Sequence, residues 1–167
     1  MKLNLLMIIT IMTLTFSTNA FALEVNFADN TWDGIKVPAG QQCQKFGGDN
    51  PATPKWIVSD IPAGSNALLL EYSDRDSERM NNGGHGRMQF AINTSASTVT
   101  IPSVPGHTYM LPQGFTMVEA HRGPGWDKEG AYMPPCSGGK DHAYYLTIKA
   151  LKDEMVTAET VIEMGKY

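Results

Sequence analysis

Cysteine is scarce in this sequence: Cys43 and Cys136 are the only two among 167 residues. That excludes a disulfide-rich miniprotein, a Cys-x-x-Cys redox pair and a thiolate zinc cluster. Base is also in short supply, with 13 Lys and Arg against 17 Asp and Glu and a net charge of −4, which argues against nucleic acid as a partner. Charged residues make up 18% and hydrophobic residues 42%, a balance unlike that of a disordered chain. Beyond residue 22 there is no internal repeat, no linker, no low-complexity tract and no basic amphipathic helix. No ligand spacing such as His-x-x-x-His occurs, so no metal site and no cofactor are expected.

One long apolar run is present, from Leu3 to Phe16. It follows Met1-Lys2 and precedes the small-residue ending Ala20-Phe21-Ala22. The run falls short of the ~20 residues a membrane-spanning helix needs, and its flanks are those of a secretory signal peptide. An uncleaved anchor is the rival reading. The expected organisation is a signal peptide over residues 1–22 and a single domain over 23–167, periplasmic or secreted, with no stable membrane insertion after cleavage. Cleavage removes one base, Lys2, and leaves 12 basic residues against 17 acidic. An oxidising compartment favours a Cys43–Cys136 disulfide, the alternative being a free nucleophilic Cys136 served by a histidine.

The remainder, with 16 glycines and 10 prolines, reads mainly as short strands. Candidates are Glu24 to Phe27, Gly34 to Val37, Lys55 to Ser59, Ala67 to Tyr72, Arg87 to Ile92, Thr98 to Ile101, Phe115 to Ala120 and Tyr144 to Ala150. Their spacing predicts an antiparallel β-sandwich or open barrel with little helix. Long Gly- and Pro-rich connections cover Ser73 to Gly86, Pro102 to Gly114 and His121 to Lys140, and connections of that length tend to carry function.

Two clusters sit at strand ends. Asp74-Arg75-Asp76-Ser77-Glu78 leaves the Ala67 run and precedes Gly83-Gly84-His85-Gly86, while Tyr132-Met133-Pro134-Pro135-Cys136 leads through Gly138-Gly139 to His142 and the Tyr144 strand. If the two strands are neighbours, Asp74, Asp76, His85, Tyr132 and His142 meet at one mouth of the sheet. Carboxylates beside imidazoles can transfer protons, bind a metal, or hold a histidine protonated for an anion, and the residues alone leave all three open beside plain solvated surface. His107 and His121 read as loop residues, and Met110, Met117 and Met133 as gap fillers.

Taken together with their surroundings, these clusters resemble the phosphatidylethanolamine-binding protein family, the Raf kinase inhibitor-like family, in its bacterial branch. The collinear segments are Cys43, Gly47-Gly48-Asp49-Asn50, Pro54-Lys55-Trp56, Ile61-Pro62-Ala63-Gly64-Ser65, Asp74 to Glu78, His85, Leu111-Pro112-Gln113-Gly114, Tyr132 to Cys136, His142-Ala143-Tyr144 and Gly165-Lys166-Tyr167. The resemblance implies an antiparallel β-sandwich with a small anion pocket at one end, and places Asp74, Asp76, His85, Tyr132 and His142 there. It also sets Cys43 and Cys136 where exported relatives carry cysteines. The sequence departs from the family pattern at Arg75 and Glu78, which replace prolines, at Ala143, which replaces an arginine, and at Ser137-Gly138. His85 stands one position from the family histidine and needs a local bulge to reach the pocket. Residues 151–165 are fewer than in bacterial relatives, which implies a C-terminal helix missing or reduced. The expected function is non-enzymatic binding of a small anion, a phosphate or a phospholipid headgroup. The alternatives are a protein-interaction module that modulates a partner enzyme, and a metal-assisted hydrolase using Asp74, Asp76, His85 and His142.

Overall fold

The computed structural model describes residues 22–167, so the expected leader, apart from Ala22, lies outside the described residues. Among these described residues eight strands form two antiparallel sheets. β1 (Glu24–Phe27), β2 (Trp56–Ser59) and β5 (Val99–Ile101) make a three-stranded sheet in the order β1-β2-β5. β3 (Ala67–Asp74), β4 (Gly86–Ala91), β6 (Phe115–Glu119), β7 (Ala143–Lys152) and β8 (Met155–Lys166) make the second, in the order β6-β4-β3-β7-β8. Among the described residues helix is confined to two three-residue 3-10 turns, Gln44–Phe46 and Glu78–Met80. This is the sandwich that the strand spacing predicts.

Alternation decides the packing. On β3, Leu68, Leu70 and Tyr72 point inward, and on β7 Tyr144, Leu146, Ile148 and Ala150 do the same. They meet Trp56 and Val58 of the smaller sheet in one core. Burying side chains of this size contributes roughly 1.5–3 kcal/mol each. The Trp56 indole donates to the Tyr72 hydroxyl at 3.2 Å and stacks on Phe27 at 4.8 Å between centroids.

The strands depart from the expected set at two places. Residues 34–37 form no strand beyond a single parallel bridge from Lys36 to Lys166, because Asp33 Oδ1 accepts the amides of Ile35 and Lys36 and curls the segment into a turn. Near the C-terminus, where the resemblance implied a missing or reduced helix, the described residues hold no helix and form β8, a strand absent from the expected set. β7 and β8 are joined by a tight turn in which Asp153 and Glu154 both have positive φ, 50° and 70°.

Candidate functional site

The register of the larger sheet assembles the site. The end of β3 and the starts of β4 and β7 lie side by side: Tyr72 pairs with both Gly86 and Leu146, and Asp74 pairs with Tyr144. Asp74 therefore continues the inward row Leu68, Leu70, Tyr72 past the rim of the core, and His142 precedes Tyr144 by the same two-residue step. Together with His85 these residues floor a cleft of about 380 Å³. Its walls come from Lys45 and Phe46, from Trp126, and from the Cys136–Lys140 loop.

The carboxylates are engaged. Asp74 Oδ2 accepts from His142 Nδ1 at 2.7 Å, and Oδ1 accepts the Asp76 amide at 2.8 Å. Asp76 turns away, accepting the Ala143 amide at 2.7 Å, and so braces the start of β7 without bordering the cleft. His85, 3% exposed, has Nδ1 2.7 Å from the Met133 carbonyl oxygen. A carbonyl only accepts, so Nδ1 carries the proton and Nε2 is left as an acceptor. Burial pushes the His85 pKa down to about 4, which keeps the ring neutral.

His85 reaches the cleft without a bulge in its pairing to β3, which runs unbroken from Gly86 to Ala91; the register shift lies between β4 and β6. What aims it is Gly86, with φ +124°, where any side chain would strike the Ala131 carbonyl.

Tyr132 does not border the cleft. It packs beside Tyr72, 5.0 Å between centroids, with its hydroxyl buried and unpartnered, and burial raises its pKa well above the ordinary value. The phenol at the site is Tyr144, a residue that sequence reasoning missed. Its oxygen accepts the Cys136 amide at 3.1 Å, so its own O–H is free to donate, and burial raises its pKa to about 12. The two-residue step from His142 along a strand was the sequence feature that pointed to it. Lys45, Phe46, Trp126 and Lys140 were missed because they lie in loops with no periodicity.

Cys43 and Cys136 form a disulfide with Cα atoms 5.2 Å apart, so Cys136 is no free nucleophile. The bridge ties the Gln44–Phe46 turn to the loop ending at Lys140, and Gly138, at φ +71°, presents bare backbone to the Phe46 ring. Among the described residues one group of His, Cys, Asp or Glu is tight enough to hold a metal, namely Cys43, Asp127 and Cys136, and its sulfurs are joined to each other instead of being thiolates.

No protein-family model matches the sequence, and no curated protein matches it. Solved structures do. One is a candidate phosphatidylethanolamine-binding protein homologue from Chlamydia trachomatis, 20% identical, with a TM-score of 0.52 over 89% of this chain and 98% of that one. Another is YbcL of Escherichia coli, described as a new member of the mammalian phosphatidylethanolamine-binding protein family, 19% identical, with a TM-score of 0.56 over 87% of this chain and 97% of that one. With two antiparallel sheets and almost no helix, the chain has the fold of the phosphatidylethanolamine-binding proteins.

Proposed function

We propose that this chain is an exported, non-enzymatic binding protein whose cleft takes a small anion, a phosphate or a phospholipid headgroup. The observation that carries the reading is a set of unspent donors converging on one concavity in an acidic protein. The amides of Gly138 and Gly139 and the ammonium groups of Lys45 and Lys140 have no acceptor or carboxylate partner among the described residues, Lys45 lying 5.8 Å over the Phe46 ring, and the Tyr144 hydroxyl sits beside them with the Cys136 amide and the Ser137 side chain as its neighbours. Asp74, which would repel an anion, has one oxygen bonded to His142 Nδ1 and the other to the Asp76 amide. The names of the fold relatives accord with this reading. Export is supported by the disulfide and by the leader pattern; among the described residues no helix is long and apolar enough to cross a membrane.

Calorimetric titration with inorganic phosphate and with phosphoethanolamine tests it. Tyr144→Phe removes a donor to a charged group and weakens phosphate binding by about tenfold or more, whereas Tyr132→Phe leaves it unchanged. Equal loss in both variants, or no binding by the parent protein, overturns the reading. A protein partner is the second reading. It is favoured by Tyr109 and Met110, 54% and 82% exposed, on a loop that the Tyr109 hydroxyl joins to Glu129 near Trp126. Capture of a partner whether or not phosphate is present would favour it.

A further inference from the structure

We propose that the loop between β6 and β7 carries an acid-released latch: protonation of His121 frees residues 123–128, and with them the Trp126 wall of the cleft. The device belongs to the loop and does not depend on what the cleft takes. His121 reads from the sequence as a plain loop residue, yet it is only 5% exposed and both of its ring nitrogens are spent inside the loop. The Gly123 amide donates to Nδ1 at 3.2 Å, and Nε2 stands 3.2 Å from the Lys128 carbonyl oxygen. A carbonyl only accepts, so Nε2 carries the proton and Nδ1 offers its lone pair. One neutral ring thus ties the two ends of the segment together. Little else does. Arg122 is fixed just outside it, by its amide on the Gly84 oxygen at 2.8 Å and its guanidinium on Glu119 at 2.7 Å, and the Ala131 amide bonds the Thr108 oxygen at 2.9 Å. Within the segment, among the described residues, the one backbone bond runs from the Trp126 amide to the Gly123 oxygen at 3.0 Å, and the side-chain anchor is Asp127, 3.3 Å from His107 Nε2 and 3.5 Å from the Lys45 amide. The Trp126 indole stacks on no other ring among the described residues.

A second proton on this ring has one place to go, Nδ1, where it meets the Gly123 N–H head on. The acceptor becomes a donor, so the bond is lost and two donors face each other in a buried place. The charged groups around the ring divide by sign. His107, on the preceding loop, and His85, beside the start of β4, oppose the imidazolium when they are charged, whereas Asp127 and Glu129 on its own loop favour it. Burial is the largest influence and outweighs the Lys128 carbonyl and the carboxylates, holding the His121 pKa below the ordinary 6.5. The released loop takes up the proton more readily than the latched one, so the latch is fully set above about pH 6.5 and loosens as the pH falls below it. A single linked proton raises the open fraction by up to about tenfold per pH unit.

Amide hydrogen exchange and acrylamide quenching of tryptophan emission, followed as the pH is lowered from 7 toward 4.5, test the latch. Quenching reports Trp126, since Trp32 and Trp56 are buried. Relative to unfolded-peptide rates, protection of the Gly123 amide should fall by up to about tenfold per pH unit below about pH 6.5, while the Leu70 amide in β3 keeps its protection. Quenching of Trp126 should rise with the same midpoint. His121→Asn has no ring to protonate and should make both readouts independent of pH, and His85→Asn should keep the transition. Nitrogen NMR of the imidazole should show the proton on Nε2 at pH 7 and a His121 titration that coincides with the quenching. A parent protein with flat readouts, a transition that survives in His121→Asn, or Gly123 and Leu70 losing protection together overturns the latch. If His121→Asn does not fold, the ring signals decide alone: a proton on Nδ1 at pH 7, or a titration apart from the quenching, overturns it equally.

Discussion

His85 shows how strongly burial can override chemistry at one residue. Its folded pKa of about 4 lies below the ordinary 6.5, so between those values the unfolded chain binds more protons than the folded one. Stability is then complete above pH 6.5 and falls as the pH drops toward 4, by on the order of 3 kcal/mol from this group. Urea unfolding at pH 7 and pH 4 checks it: His85→Asn should lose less than the parent over that range by about that amount. The unpartnered Tyr132 hydroxyl gives a prediction of opposite sign. Tyr132→Phe should leave stability unchanged or raise it by roughly 1 kcal/mol, because removing a buried unpaired polar group costs nothing. At this scale the sequence was half legible. Asp74 and His142 announce themselves by standing at strand ends, whereas discarding Tyr132 for Tyr144 requires knowing that Tyr132 is buried beside Tyr72 away from the cleft.

On the outer face of the larger sheet, the elements are laced by charge. Arg122 bonds Glu119, Glu119 bonds Arg87, Arg87 bonds Glu71, and Lys149 reaches both Glu71 at 2.7 Å and Glu159 at 3.7 Å, so the ladder crosses all five strands. Glu71 is its pivot, with a side chain only 11% exposed. Glu71→Gln leaves two partly buried cations without their shared carboxylate and should cost about 2 kcal/mol in chemical denaturation. Arg75, which pairs with Glu163 and lies 4.1 Å over the Tyr145 ring, is a contrast: both ends of that ion pair are about half exposed, and Arg75→Ala should cost less than about 1 kcal/mol. Most strands are legible because apolar runs such as Ala67 to Tyr72 end at turn residues. β8 was not, because Asp153-Glu154 lacks the glycine that normally marks a two-residue hairpin and its strand sets exposed Val161 on the same face as Glu159 and Glu163, which blurs the apolar alternation.

At the level of the molecule, two sheets enclose one core and a single covalent bond crosses between distant segments, 93 residues apart. In the chain-entropy account a loop of about that size restricts the unfolded chain by up to ~4.7 kcal/mol. The double variant Cys43→Ser, Cys136→Ser should accordingly lose about 2–5 kcal/mol on thermal or urea unfolding, and anion affinity should fall further than its loss of folded fraction explains. Seven of the eight strands and the cysteine pairing were readable in advance, the strands from periodicity and the pairing from compartment. The cleft's outer wall was not, because only the folded loops reveal which aromatic and basic side chains share a cavity.

On the proposed reading of an exported anion binder, that bridge also sets when the molecule becomes competent. Its two jaws, the Phe46 turn and the Gly138 loop, come from segments far apart in the chain and are clasped by one oxidation event. A newly made chain still among reduced thiols would carry its sheets but an unclasped mouth, and so would pass through phosphate-rich surroundings without loading there. Readiness to bind would arrive together with the oxidising compartment.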